Sequence, residues 1–299
     1  IFVAIFTSCN QYQKAPSGML YKITTGNSKT KIQHNDYVKL NIKYTRKRKD
    51  SILNSTFGKI PVYIPIDTSK LGKFNFLEIV TKCGKGDKIE FILNIDTLQK
   101  MGFLQYSPVF KQKDEVVGIV EILDVFKDVA LVEADNKAEL EKYKKQELAD
   151  LKEYAKKKKS NVIEAEGVLV HIDNIGDSKN MVDSGKYISI YYEGRLLNDT
   201  LFDRNNDKSN PNNSPLSFTV QQTPMIPGFV SGLKKFGKGG KGTIYIPSLL
   251  AYGQQGSPPV IPPFSSIYFK IEITDVLAKD PNPPAPQQPP YKGDVRKRR

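Results

Sequence analysis

The stretch FGKGGKGTIYI, at Phe236–Ile246, has a second version in this chain, because CGKGDKIEFIL at Cys83–Leu93 aligns to it without a gap. The segments around the two stretches also recur in the same order and at similar spacing. These further pairs are GMLYKITTG (Gly18–Gly26) with GVLVHIDNIG (Gly167–Gly176), DYVKLNIKYT (Asp36–Thr45) with KYISIYYEG (Lys186–Gly194), and VVGIVEILDVFKD (Val116–Asp128) with SIYFKIEITDVLAKD (Ser266–Asp280). Because order, spacing and residue type all agree, we interpret the chain as two copies of one domain.

Each copy is predicted to be an antiparallel sheet with one short helix packed against it. Apolar side chains alternate along the expected strands, as they do when one face of a sheet is buried. The alternating residues are Val38, Leu40, Ile42, Tyr44, Ile119, Ile122 and Val125 in the first copy, and Tyr187, Ile188, Ile190, Tyr192, Phe269, Ile271 and Ile273 in the second. A short helical pattern precedes each Gly-Lys-Gly turn, at Phe76–Cys83 and Phe229–Phe236. The predicted fold class is therefore α+β.

A long helix is predicted between the two copies. The segment 129–160 is rich in Ala, Glu, Lys and Leu and lacks Gly and Pro. Its narrow apolar stripe, which a helix of about 45 Å would carry on one side, consists of Leu140, Tyr143, Leu148, Leu151 and Tyr154. We expect a spacer that lies on one domain, and a dimerising helix is the alternative.

Composition excludes several classes of function. The net charge of +13 comes mainly from lysines spread over both halves, which is typical of a solvated surface rather than of a nucleic-acid site. The two histidines, His34 and His171, share no metal-like spacing with Cys9, Cys83 or the acids. We therefore expect no metal, no cofactor, no disulfide framework and no nucleic-acid partner.

The first residues, IFVAIFTSCN, resemble the end of a bacterial lipoprotein signal, in which an apolar core leads to a lipidated cysteine. Since the chain starts with Ile and lacks a basic leader, we expect the true start to lie upstream. Cys9 would be the acylated residue and would hold the protein at a membrane. We expect an outer-membrane anchor that faces the periplasm, and the alternative is a chance cysteine in an apolar N-terminus.

The second copy carries a series of motifs that resemble those of the FKBP-type peptidyl-prolyl cis-trans isomerases. They are YYEGRLLNDTLFDR (Tyr191–Arg204), PLSFTV (Pro215–Val220), MIPGFVSGL (Met225–Leu233), LLAYG (Leu249–Gly253) and VIPPFSSIYF (Val260–Phe269). The motifs occur in the family's order over about 110 residues, 166–279. This resemblance implies two FKBP-like domains on either side of the linker, of which the second is active.

The resemblance also implies which residues form a proline-binding pocket. The positions implied as catalytic are Tyr192, Phe202, Asp203, Phe229 and Tyr252, and those implied as substrate-binding are Leu216, Phe218, Met225, Ile226, Val260, Ile261 and Phe269. Phe229 would be the apolar floor, where well-known members carry tryptophan. The Ile226 N–H and the Tyr252 hydroxyl would bind substrate carbonyls. Leu216 stands where an aromatic residue is common.

The first copy departs from the family pattern. Tyr44 and Phe76 are interpreted as the counterparts of Tyr192 and Phe229. The counterparts of Phe202, Asp203, Tyr252 and Phe269 are interpreted as Leu53, Asn54, Gln99 and Gly118. Because the acid, the second tyrosine and two aromatic walls are missing, we expect a domain that keeps the fold and is inactive.

These observations divide the chain into five segments. They are a signal remnant and tether at 1–17, a degenerate FKBP-like domain at 18–128, a helical linker at 129–160, an isomerase domain at 161–280 and a Pro-rich basic tail at 281–299. The expected function is cis-trans isomerisation of X–Pro bonds in proline-containing polypeptides that fold in the envelope. The alternative is a non-catalytic chaperone or scaffold lipoprotein of an outer-membrane secretion or motility complex.

Overall fold

The computed structural model describes residues 11–207, 210 and 213–283, which belong to two compact units that divide between Tyr143 and Lys144. The predicted lipidation residue Cys9 and the tail beyond residue 283 lie outside the described residues. No helix within the described ranges is both long and apolar enough to cross a membrane.

The first unit is built on a seven-stranded antiparallel sheet. Its strands are β1 (Gln13–Lys14), β2 (Leu20–Thr24), β3 (Tyr37–Arg46), β4 (Ser51–Ser55), β5 (Val62–Pro65), β6 (Lys88–Asn94) and β7 (Glu115–Phe126). They pair in the order β1-β2-β6-β7-β3-β4, and β5 also pairs with β3. The helical elements are α1 (Ile95–Lys100) and two 3₁₀ segments, Lys47–Lys49 and Phe76–Lys82.

The second unit repeats this topology. Its strands are β8 (Val162–Ala165), β9 (Val168–Asn174), β10 (Tyr187–Leu196), β11 (Leu201–Arg204), β12 (Leu216–Thr219), β13 (Lys241–Ile246) and β14 (Ile267–Leu277). The order β8-β9-β13-β14-β10-β11, with β12 on β10, matches that of the first unit strand for strand. The helical elements are α3 (Pro227–Leu233) and the 3₁₀ segment Ser248–Leu250. The predicted α+β class is confirmed.

The short helix α3 packs very close to its sheet. A Cβ atom on Gly232 would lie only 2.3 Å from Ile244 Cγ2, and one on Gly228 only 2.4 Å from Ile246 Cγ2. Two glycines one turn apart therefore let the helix approach β13 closely, as interiors packed at crystal-like density require. This approach places Phe229, on the same helix, inside the core.

The helix α2 (Val129–Lys157) crosses the boundary between the units. In the first unit, Lys39 forms ion pairs with Asp135 at 2.7 Å and Glu139 at 3.0 Å. In the second unit, Leu151 and Ala155 are buried on the sheet in a cluster completed by Leu169, Tyr245 and Tyr268.

Several details differ from the sequence prediction. The short helix of the second unit spans Pro227–Leu233, not the predicted Phe229–Phe236. In β7 it is Val120, not Ile119, that is fully buried beside Ile122, because side chains two residues apart share a face of a strand. The register shift opposite Lys39 and Leu40 lies beyond Ile122, and it brings Val125 to that same face. The segment that begins at Phe76 is a 3₁₀ helix that ends at Lys82, before the predicted end.

Cys83 is a free, fully buried thiol. Burial raises its pKa to about 12, so the thiol stays neutral and acts as a small apolar side chain. Within the described ranges, no group of His, Cys, Asp and Glu is arranged to hold a metal ion.

Candidate peptide-binding site

One cavity of about 420 Å³ opens in the second unit between α3, the inner face of the sheet and the loop that follows β13. Most residues implied by the sequence line it. The lining consists of Tyr192, Asp203, Leu216, Pro224, Met225, Ile226, Phe229, Tyr252 and Phe269. Pro224 was not among the predicted residues, although its position next to the MIPGF motif makes it a natural neighbour of the wall.

The other predicted residues lie around this cavity rather than on its surface. Phe218 and Ile261 are buried in the core of the unit, with 4% and 3% of their surface exposed. Phe202 packs behind the wall, with its ring centroid 6.2 Å from that of Tyr252. Val260 is 44% exposed and is not one of the lining residues. Direct contact of these four residues with a peptide stays a prediction.

The floor of the cavity is a stack of aromatic rings. The centroids of Phe229 and Phe269 are 4.6 Å apart, and Tyr192 meets both rings edge-on at 6.2 and 5.8 Å. Gly194 makes room for this arrangement, since a Cβ there would come within 2.7 Å of both Phe202 and Phe269. The rings therefore depend on a glycine in β10 that sequence analysis did not single out.

Asp203, the single acid that lines the cavity, is hydrogen-bonded to the aromatic wall. The Tyr192 hydroxyl donates a hydrogen bond of 2.6 Å to Asp203 Oδ2. Burial, together with this hydrogen bond, raises the pKa of Tyr192 above its ordinary value. Burial also raises the pKa of Tyr252, and the charge of Asp203 adds to the effect. Both hydroxyls therefore remain protonated at neutral pH.

Two hydrogen-bond donors face this site without a partner. Neither the Tyr252 hydroxyl nor the Ile226 backbone N–H donates a hydrogen bond to any residue in the described part of the chain. Both residues are half-buried and line the cavity, so these donors are open to carbonyl acceptors from outside. The arrangement can hold a peptide by its carbonyl oxygens and enclose an apolar ring.

The loop between β13 and β14 is held in place by an acid from the helix α2. Glu147 Oε1 accepts hydrogen bonds from the Ser248 N–H at 2.8 Å and from the Ser266 hydroxyl at 2.6 Å. These serines stand at the two ends of the loop that carries Tyr252. Glu147 is only 8% exposed, although its sequence context predicts an ordinary solvated face of a helix.

We expect Glu147→Ala to lower the free energy of unfolding by about 1–3 kcal/mol, because the buried Ser248 N–H would lose its carboxylate acceptor. The ends of the loop would also be released, so binding of a peptide in the cavity should weaken. Urea unfolding measures the first effect and peptide titration the second. Glu153→Ala, an exposed site on the same helix, is the control and should change stability by less than about 0.5 kcal/mol. A Glu147→Ala protein as stable as this control would contradict the positioning role.

The region of the first unit that corresponds to this cavity carries different side chains at equivalent strand positions. The register shifts in the two sheets align Leu40 with Ile190, so Ile42 occupies the position of Tyr192 and Tyr44 that of Gly194. The predicted equivalence of Tyr44 with Tyr192 is therefore wrong by two residues.

At one pair of facing positions, the two units carry the aromatic residue on different strands. In the first unit Phe91 faces Gly118 across the sheet, whereas in the second Ile244 faces Phe269. A Cβ on Gly118 would lie 2.1 Å from the Phe91 ring, which contacts Tyr44 edge-on at 6.0 Å. The Phe91 ring thus lies over the strand position that carries Phe269 in the second unit, and Tyr44 packs against it.

The second unit is therefore an α+β domain in which an apolar cavity, with one hydrogen-bonded acid and two free donors, lies between an antiparallel sheet and a short helix. This is the arrangement of a candidate peptide-binding site. The family model of the FKBP-type peptidyl-prolyl cis-trans isomerase matches residues 178–274. The FKBP-type peptidyl-prolyl cis-trans isomerase FkpA of Escherichia coli K12 is 32% identical over 200 residues, which are 66% of this chain and 69% of that protein. The chain belongs to the family of FKBP-type peptidyl-prolyl cis-trans isomerases.

Other relatives are matched over shorter spans. The probable FKBP-type isomerase FkpA of Neisseria meningitidis serogroup B is 34% identical over 133 residues, which are 44% of this chain and 45% of that protein. This chain therefore matches less than half the length of the Neisseria relative. The crystal structure of FkpA from Escherichia coli aligns with a TM-score of 0.37 and 32% identity, over 50% of this chain and 67% of that one.

Proposed function

We propose that the second unit accelerates the cis-trans isomerisation of X–Pro bonds in proline-containing polypeptides by enclosing the prolyl amide in an apolar cavity. The supporting observation is the combination of an aromatic floor with two free donors, Tyr252 and Ile226, in one cavity. The donors hold the flanking carbonyls while the proline ring rests on Phe229 and Phe269.

The chemistry requires no nucleophile and no general base. Rotation about an X–Pro bond breaks amide resonance against a barrier of about 20 kcal/mol, and takes roughly tens to hundreds of seconds unaided. The twisted amide is less polarised than the planar one. An apolar cavity therefore disfavours the planar ground state relative to the transition state, and this difference lowers the barrier.

Asp203→Asn tests this mechanism. The amide keeps the shape of the side chain and can still accept a hydrogen bond from Tyr192, so only the charge is lost. A hydrogen bond to a neutral acceptor contributes about 1 kcal/mol less stabilisation than one to a charged acceptor. We therefore expect kcat/KM to fall about tenfold or less. Turnover of a proline tetrapeptide by the full chain gives the measurement.

The same assay should show a nearly flat rate from about pH 6 to 8. The raised pKa values keep Tyr192 and Tyr252 protonated throughout, and neither histidine lines the cavity. A bell-shaped profile, or complete loss of activity in folded Asp203→Asn, would show that proton transfer matters. Peptide binding without any turnover in the parent protein would favour the non-catalytic chaperone or scaffold alternative.

For the first unit, we propose a retained fold without isomerase activity. Ile42 replaces Tyr192, Asn54 replaces Asp203, and Gly118 replaces Phe269. Because the Phe91 ring covers Gly118, the pair of rings on which a proline would rest in the second unit, Phe229 and Phe269, is not reproduced there.

We further propose that the protein works in the cell envelope on folding polypeptides and is anchored to the outer membrane through acylated Cys9. The apolar run that ends in Thr-Ser-Cys supports this proposal. Expressed with its full leader, the Cys9→Ser protein should move from the membrane fraction to the soluble fraction. Continued sedimentation of Cys9→Ser with the membranes would contradict the anchor.

A further inference from the structure

The first unit has an apolar cavity of its own, which differs from the one in the second unit. It measures about 240 Å³ and lies between β3, β4, α1 and the loop from residue 101 to 114. Its nine lining residues include Leu53, Leu98, Phe110 and Val116, together with Tyr44 and Asn54, and the accessible part of the lining is apolar. We call this cavity and the apolar surface beside it the unit 1 groove.

The surface beside the cavity is also apolar, which is unusual for a loop. The segment MGFLQYSPVF, at residues 101–110, contains Phe103 with 59% of its surface exposed, Met101 with 49% and Val109 with 46%. Ile52, on the edge strand β4, is 64% exposed. Scattered apolar residues are normal on a surface, but a cluster of large ones around an apolar cavity marks an interaction site.

A basic rim adjoins this surface. The Arg46 guanidinium donates a hydrogen bond of 2.6 Å to the Val109 carbonyl, which joins the basic run at residues 46–49 to the apolar loop. Lys100 and Lys111 directly flank the segment MGFLQYSPVF.

Several of these cations have no counter-charge. No carboxylate in the described part of the chain lies within ion-pair distance of Lys49, Lys100, Lys111 or Lys113. An apolar surface framed by unpaired lysines is complementary to a peptide whose apolar stretch is framed by acidic residues. Charge complementarity therefore specifies the chemistry of the occupant.

We propose that the unit 1 groove binds an extended, proline-independent polypeptide segment in which aromatic and aliphatic residues are flanked by Asp or Glu. The apolar side chains enter the cavity and cover Phe103 and Val109, and the acids meet the lysine rim. This binding needs no isomerase activity, so it stands or fails independently of the function proposed for the second unit.

The test is a fluorescence anisotropy titration of the full chain with a labelled, proline-free peptide that has an aromatic core and aspartates at both ends. We expect saturable binding that weakens with added salt, because the lysines of the rim are exposed. Phe103→Ser combined with Val109→Ser should weaken binding about tenfold or more, since interface aromatics dominate such affinities. The matched control combines Ile163→Ser with Ile175→Ser, two similarly exposed apolar residues of the second unit, and should bind like the parent.

Charge is tested separately, with Lys49→Glu combined with Lys113→Glu. This variant should lose affinity for the aspartate-flanked peptide and gain affinity for the same core flanked by lysines. Circular dichroism checks that each variant is folded, which their exposed positions favour. Equal binding of both peptides to the parent, or unchanged binding by the Phe103→Ser/Val109→Ser protein, would overturn the proposal. Sedimentation provides a further check. If the parent protein is a dimer, and the Phe103→Ser/Val109→Ser protein is a monomer, the proposal is also overturned, because a second copy of the chain would then cover the groove.

Discussion

Phe229→Ala is expected to lower kcat/KM for a proline tetrapeptide by about tenfold to a hundredfold. Phe229 is 2% exposed and forms the floor of the cavity beside Phe269. Burial of a side chain of this size contributes about 1.5–3 kcal/mol, and a loss of 1.36 kcal/mol in the transition state lowers the rate tenfold. Water would enter where the prolyl ring should rest, so the planar amide would be solvated again.

Stability must be separated from activity in this experiment. Truncation of a buried phenylalanine costs about 3–5 kcal/mol of unfolding free energy wherever the residue lies in a core. Phe236→Ala is therefore the matched control, because Phe236 is fully buried in the same core and does not line the cavity. Both variants should lose similar stability in urea unfolding, and only Phe229→Ala should lose most of its activity at temperatures where both remain folded. Equal loss of activity in the two variants would show that the floor has no special role.

Activity should also divide unequally between the two units. A fragment of residues 144–280 is expected to retain most of the isomerase activity of the full chain. A fragment of residues 11–143 is expected to show no rate above the uncatalysed one, since Ile42 and Gly118 replace the residues that form the floor and wall. The tetrapeptide assay measures both. Comparable activity in the two fragments would mean that these replacements do not matter.

The starting point of the active fragment follows from the helix α2. A shorter fragment that begins at Lys159 removes Leu151 and Ala155, which are buried on the sheet with Tyr245 and Tyr268. It also removes Glu147 from the ends of the loop that carries Tyr252. Loss of the leucine contact alone removes about 1.5–3 kcal/mol of burial. We therefore expect the shorter fragment to unfold at lower urea concentration than the fragment of residues 144–280.

The two sheets of matching strand order, the α+β class and most of the cavity lining could be predicted from the sequence because they are encoded locally. A strand with one buried face shows its alternation within a few residues, and the Gly-Lys-Gly turns mark equivalent points in both copies. Motifs such as MIPGF place the wall and the floor of the cavity on one short segment. The helix α2, Val129–Lys157, likewise follows from a segment without Gly or Pro, although it ends before the predicted residue 160.

Only the tertiary structure decided the equivalence of the two sites. Alternation has a period of two, so a shift of two residues keeps every side chain on its face and leaves the pattern unchanged. Alternation alone therefore does not distinguish Tyr44 from Ile42 as the counterpart of Tyr192, whereas the pairing of β3 with β7 does. The contacts of Glu147 with Ser248 and Ser266 were equally invisible, because they join residues more than a hundred positions apart. Local pattern determines which face of a strand is buried, but the partner strand and the packed helix determine what each side chain meets.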